Sequence, residues 1–171
     1  MKGALHQYLK QQKALYGNEL YLSNEPAPLS EPKHEKKGPL ANGKLDAYNQ
    51  SICTCQECPL GKTRTNFVFG VGDPNADLLL VGEAPGEQED LKGEPFVGRA
   101  GKMLDKILYA IDRKRGDGVY IANVIKCRPP NNRDPLPSEV KKCEPYLTEQ
   151  ISQIQPKLIV ALGRVAGKTL L

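Results

Sequence analysis

Five cysteines are the residues of this chain with the most specific chemistry to offer. Cys53, Cys55 and Cys58 crowd into CTCQECPLGKTR, Cys127 stands where VYIANVI breaks into KCRPPNNRDP, and Cys143 follows in SEVKKCEPYL. An odd number of thiols, in a chain whose opening MKGALHQYLKQQ turns polar too soon for a signal peptide, argues against a disulfide framework and for ligands or nucleophiles. Cys55 and Cys58 can hold one metal from a single turn, while Cys127 and Cys143 arrive from a strand end and the next helix. These four form the candidate ligand set. Cys53 would have to reverse the chain sharply and is a spare or an alternate ligand. Zinc and a [4Fe–4S] cluster both accept four thiolates, and spacing does not separate them. A buried free thiol is the plainer reading of Cys143 taken alone. A thioredoxin-like redox pair should open a helix after a strand, whereas Cys55 precedes the first clear strand.

Asn123 is the second candidate, an amide inside an otherwise apolar strand. Buried, it must find partners or cost about 1–3 kcal/mol. Either the main chain satisfies it, or it reads a base: its oxygen accepts one N–H while its NH2 donates to a carbonyl, the complement of uracil's Watson–Crick edge and the reverse of cytosine's. VGEAPGEQED (81–90) follows a strand, and its glycines would let backbone approach a ligand closely, although a plain strand-to-helix turn uses the same residues. Phe96, in the neighbouring loop GEPFVGRAGK, is a ring best used to stack on something flat. GRVAGKT (163–169) resembles a phosphate-binding loop but is one residue short between its glycines, so a nucleotide-hydrolysing protein is a weak alternative.

These residues need elements to position them. Apolar spacing predicts a helix over 3–16, then a proline-rich, charged linker over 17–44, and a short helix around 45–52. From there strands and helices alternate: strands over 77–82, 119–125 and 157–163, helices over 100–111 and 138–155, the latter with Ser138 as N-cap and Glu139 in its first turn, and another helix from 164 that reaches Leu171 without a cap. Short apolar strands separated by helices imply an α/β fold whose parallel sheet is covered on both faces. Cys127 then falls at a strand's carboxyl end, where open α/β sheets bind ligands.

With 171 residues and 39 % hydrophobic content, the chain suffices for one domain, expected over 45–171, plus an extension over 1–44. A net charge of +4, from 24 basic and 20 acidic residues, permits a polyanionic partner without requiring one. No apolar stretch approaches the roughly 20 residues that span a bilayer. A cytoplasmic protein with no membrane association is expected.

Taken together, CQECPLGKTRTNFVFGVG, VGEAPGEQED, PFVGRAGKMLD, NVIKCRPPNNRDP and KLIVALGRVAGKTLL resemble the iron–sulfur uracil-DNA glycosylases, the family-four branch of that superfamily, over residues 53–171. The resemblance implies a three-layer α/β fold with a central parallel sheet, and a structural [4Fe–4S] cluster on Cys55, Cys58, Cys127 and Cys143. It also implies hydrolysis of the N-glycosidic bond of deoxyuridine in DNA after the nucleotide is flipped out. Phe96 matches the ring that stacks on the base and Asn123 the amide that reads it. Glu83, Ala84 and Pro85 match the loop lining the pocket, and Glu89 a side chain near the base's C5 edge. Arg128, Asn131 and Arg133 are the implied DNA contacts. Ala84 stands where some relatives carry a water-positioning aspartate, so rate must come chiefly from stabilising the departing uracil anion.

The family has a further strand ending in a His-Pro motif, whose histidine contacts the leaving base. The histidines here, His6 and His34, match no such motif, and the resemblance places the family histidine beyond Leu171. It therefore assigns no catalytic residue within the chain, and implies an incomplete version of a longer protein or a degenerate member, one strand short in its sheet and at most feebly active. A monomer acting on uracil-containing DNA is the expectation, with a non-catalytic cluster-bearing DNA-binding module and an unrelated zinc protein as the alternatives.

Overall fold

The structure, a computed structural model, describes residues 43–171. The helix expected over 3–16 and nearly all of the linker expected over 17–44 lie outside these residues. Helix α1 (Gly43–Ile52) leads into the cysteine loop, which closes with a 3-10 turn, Pro59–Lys62. Strands β1 (Val71–Gly72) and β2 (Leu78–Gly82) follow, then helices α2 (Glu87–Lys92) and α3 (Arg99–Ala110), and strand β3 (Val119–Asn123). A second 3-10 turn (Pro130–Asn132), helix α4 (Pro137–Ile154), strand β4 (Leu158–Ala161) and helix α5 (Arg164–Leu170) complete the order.

The four strands form one sheet in the order β1-β3-β2-β4. Strand β2 pairs in parallel with both β3 and β4, while β1 runs antiparallel to β3, so the sheet is mostly rather than wholly parallel. The two-residue β1 was not expected, since so short a strand carries no alternation to read.

The alternation of side chains decides the layers. Leu79, Val81, Tyr120 and Ala122 face one way and pack with Leu45 of α1, Leu147 and Ile154 of α4 and Ala166 of α5. Leu80, Val119 and Ile121 face the other way and pack under Leu104 and Leu108 of α3. Each buried Leu, Ile or Val among these stabilises the fold by about 1.5–3 kcal/mol. Continued by the same parity, Gly82 and Asn123 fall on the α3 side, and they are direct partners across β2 and β3. Strand β4 departs from the expected double cover: Leu158 is 58 % exposed and Ile159 36 %.

Helix α4 begins one residue earlier than expected. Leu136 is the N-cap and Ser138 lies inside the first turn. Pro137, with its φ preset, occupies the first helical position, and Glu139 reaches back so that its Oε2 accepts the Leu136 N–H at 2.8 Å. Glu139 also receives Arg133 bidentately at 2.7 and 2.9 Å, and this holds its carboxyl below the usual range. Helix α5 runs to Leu170 as expected, and the Leu171 N–H still makes the helical bond to the Gly167 carbonyl at 3.2 Å. No helix among the described residues is long and apolar enough to cross a membrane.

Candidate functional site

Two sites meet at the carboxyl ends of β2 and β3. The first is built around Asn123, which is 1 % exposed although its Oδ1 and Nδ2 have no hydrogen-bond partner among the described residues. The reading in which the main chain satisfies this amide is therefore not what the structure shows. Its neighbour across the strand pair is Gly82, against which the Phe96 ring lies. A Cβ at Gly82 would lie 2.4 Å from Asn123 Oδ1 and 2.5 Å from Phe96 Cζ, so only glycine leaves room for this packing.

Phe96 belongs to a loop gripped by charge. Its backbone is left-handed, with φ +55°. On the following residues, the N–H groups of Val97 and Gly98 donate to Glu89 Oε1 at 2.9 and 2.8 Å, and Glu89 Oε2 accepts the Gly86 N–H at 3.1 Å. Both carboxylate oxygens of Glu89 are thus engaged by main chain. The acidic run read as a loop in fact folds into α2, whose Asp90 accepts the N–H groups of Thr65 and Asn66 at 2.9 to 3.2 Å. On the preceding side, Arg115 donates to the carbonyls of Pro95 (3.0 Å) and Phe96.

Glu83, Ala84 and Pro85 continue β2 beside this slot. The Ile125 N–H donates to the Glu83 carbonyl at 3.1 Å, so the chain after β3 still runs along the loop. Burial pushes the Glu83 carboxyl up, and Asp134 adds to the effect. Ala84 packs against the α4-side core and Pro85 is buried. Of the expected DNA contacts, Asn131 is exposed in a left-handed turn, φ +54°, and Arg128 donates to Asn132 Oδ1 at 2.8 Å. The Arg133 guanidinium is held by Glu139.

The second site is the thiol pocket. Cys55, Cys58, Cys127 and Cys143 line it with Phe67 and Tyr146. Cys53 does not line it; its Sγ donates to the Gln50 carbonyl at 3.5 Å. Donors converge on the sulfurs: Arg64 Nη1 on Cys127 Sγ at 3.0 Å, the Lys126 N–H on Cys143 Sγ at 3.3 Å, and the Tyr146 hydroxyl on Cys55 Sγ at 3.1 Å. Among the described residues, no three His, Cys, Asp or Glu side chains are grouped so as to hold a single metal ion. Burial pushes the Cys143 thiol up to about 12, opposed by Lys126, and raises Cys127 against the pull of Arg64.

Sequence reasoning missed the residues that brace these sites. Arg64 also donates to the carbonyls of Cys55 and Cys53 at 2.7 and 2.8 Å, fixing the cysteine loop, and nothing in its sequence position marks it out. Lys126 had a signal, a lone cation closing an apolar run. It is fully buried, and its Nζ donates to the Asn123 carbonyl at 2.8 Å and to Gln150 Oε1 at 2.5 Å. Burial lowers its ammonium to about 8. The amide site and the thiol pocket are thereby joined through one residue, whose side chain holds the Asn123 carbonyl and whose backbone N–H donates to Cys143 Sγ.

Comparison with known proteins gives a consistent result. Residues 69–171 match the family described as the uracil DNA glycosylase superfamily. The chain is 56 % identical over 124 residues to a type-4 uracil-DNA glycosylase of Archaeoglobus fulgidus, covering 72 % of this chain and 62 % of the relative. It is 50 % identical over 124 residues to that of Sulfurisphaera tokodaii (72 % and 56 %), and 48 % over 122 residues to that of Thermotoga maritima (71 % and 63 %). The matched region thus spans about three-fifths of the length of these curated relatives.

Proposed function

The chain belongs to the uracil DNA glycosylase superfamily, and from that premise we propose that it removes uracil from DNA by hydrolysing the bond between the base and its deoxyribose. The observation that carries this reading is the orphaned amide of Asn123, buried beside an aromatic ring at the carboxyl end of the sheet. A buried amide left without partners costs about 1–3 kcal/mol unless an occupant supplies them. A flipped-out uracil supplies both: its N3–H donates to Oδ1, and its O4 accepts from Nδ2. Phe96 stacks on the base and Gly82 leaves the slot open.

In the reaction, water adds to the sugar carbon as the bond to N1 breaks, the bonding pair leaves with the uracil as an anion, and the proton that the water loses passes through solvent to that anion. Ala84 offers no carboxylate to take the water's proton. The chain's own contribution is therefore to the leaving group: the Nδ2 donor at O4 stabilises charge delocalised from N1, within a water-poor slot where such a donor is worth roughly 3–4 kcal/mol. Arg128 and Asn131, which follow Cys127 in the chain, serve the phosphate backbone.

The thiol pocket fits a [4Fe–4S] cluster. Four thiols share one pocket, and N–H and O–H donors point at three of the sulfurs, as thiolates in a cluster need. Cys55, Cys58, Cys127 and Cys143 would hold it. When bound, it supplies a covalent cross-link between the cysteine loop, the end of β3 and α4, close to the residue that reads the base.

The test is release of uracil from an oligonucleotide carrying one deoxyuridine, read as alkali-labile strand breaks. Breaks that appear with the native chain and disappear with Asn123→Asp support the reading. Tight binding of uracil-containing DNA without any release would replace it with a non-catalytic binder.

A further inference from the structure

Phe96 is held in a conformation its residue type disfavours. At φ +55° a bulky side chain crowds its own backbone, so something outside the residue must fix it there. Three features converge on its peptide. Gly101, in the first turn of α3, lies so close that a Cβ there would sit 1.6 Å from the Phe96 carbonyl oxygen. Glu89 accepts the next two backbone N–H groups. Arg115 takes the carbonyl side: Nη1 donates to Pro95, Nη2 to Phe96 and, at 3.5 Å, to Gly101. Its Nε is oriented in turn by Asp105 Oδ1 at 2.5 Å.

Arg115 comes from elsewhere in the chain. It projects from the turn between α3 and β3, closed by the Asp117 N–H donating to the Lys114 carbonyl at 3.2 Å. A guanidinium so placed satisfies three carbonyls and one carboxylate in a fixed fork, which an ammonium cannot copy.

We propose that Arg115 is a positioning residue for the base-stacking ring: by bonding the carbonyls of Pro95, Phe96 and Gly101, it locks the left-handed turn that presents Phe96 to the slot over Gly82 and Asn123. The role given to the ring rests on the uracil-excision reading; the locking of the turn does not.

The chain has no tryptophan, so Phe96→Trp places a single indole at the ring position. In that background Arg115→Ala should raise acrylamide quenching and lower fluorescence anisotropy while the circular dichroism of the fold persists. In the native background Arg115→Ala should lower kcat/KM for uracil release about 100-fold, the effect of displacing a reacting partner by an ångström. Affinity for undamaged DNA should stay as it was, with Arg115→Lys intermediate. If Arg115→Ala does not fold, Asp105→Asn, which frees only the guanidinium, should move both readouts in the same direction. Unchanged quenching together with unchanged uracil release would overturn the proposal. Should the native chain release no uracil at all, the excision reading falls, and the quenching experiment still decides whether Arg115 locks the turn.

Discussion

Gly82→Ala separates the slot from the fold. The added methyl would lie 2.5 Å from Phe96 Cζ and 2.4 Å from Asn123 Oδ1, whereas carbon atoms in contact rest about 3.5–4.0 Å apart. Ring and amide must therefore retreat by about 1 Å, and both can, because each meets the methyl with the free end of a side chain. Overpacking of this kind costs roughly 1–3 kcal/mol, and the freedom to retreat puts the expected loss at the low end. The same ångström lies in the path of the base, where misplacement costs about 100-fold in rate. Single-turnover release of uracil from a short oligonucleotide should thus fall by about 100-fold, while thermal unfolding moves only slightly. A variant that excises uracil at the native rate would show that Phe96 and Asn123 do not form the reading slot. Gly101→Ala is the contrasting case: its methyl meets the backbone of Phe96 and should damage folding as well.

Three further outcomes follow from the same geometry. Asn123→Leu should abolish uracil release yet raise stability to urea by about 1 kcal/mol, since it removes a buried amide that nothing satisfies; a destabilised variant would mean the amide has a partner in the folded chain. Cys143→Ala should lose iron and acid-labile sulfide and unfold more readily, because cluster binding and folding are coupled, and full iron content in that variant would remove Cys143 from the ligand set. Glu139→Gln should lower stability at neutral pH by weakening the bidentate bond to Arg133. The folded carboxyl titrates below its unfolded value of about 4.3, so this stabilisation is complete above that pH and disappears as the pH falls through the folded value. Urea unfolding followed against pH should show the two proteins converging in acid; a gap that persists there would refute the pairing.

The alternation of strands and helices was legible in the sequence because each central element carries its own period. Leu78–Gly82, Arg99–Ala110 and Pro137–Ile154 fall within a residue or two of the expected spans. Strand β3 ends at Asn123 rather than at residue 125, although Val124 and Ile125 still donate to the carbonyls of Gly82 and Glu83 and so look like strand in sequence. What escaped notice was decided at a distance. Strand β1 exists because Val71 and Gly72 find Ile121 and Tyr120, and α2 forms because Glu89 closes its start while Asp90 anchors residues 65–66. The cysteines and Asn123 announced themselves as residue types out of place. Arg64, Arg115 and Gln150 did not, since an arginine or glutamine in a polar stretch looks like surface until its partners are known.

The pairing of Gly82 with Asn123 makes the site a gauge of strand register. Side chains alternate with a period of two, so a slip of one residue between β2 and β3 would turn Asn123 toward α4, bring an alanine or a valine level with Gly82, and expose the apolar set of each face to the wrong layer. No intermediate register offers part of the slot. The turn between α3 and β3 is bound by a second condition, that Arg115 still reach the carbonyls of Pro95 and Phe96, whereas an insertion or deletion within either strand silences the site outright, whatever the identity of the residue inserted.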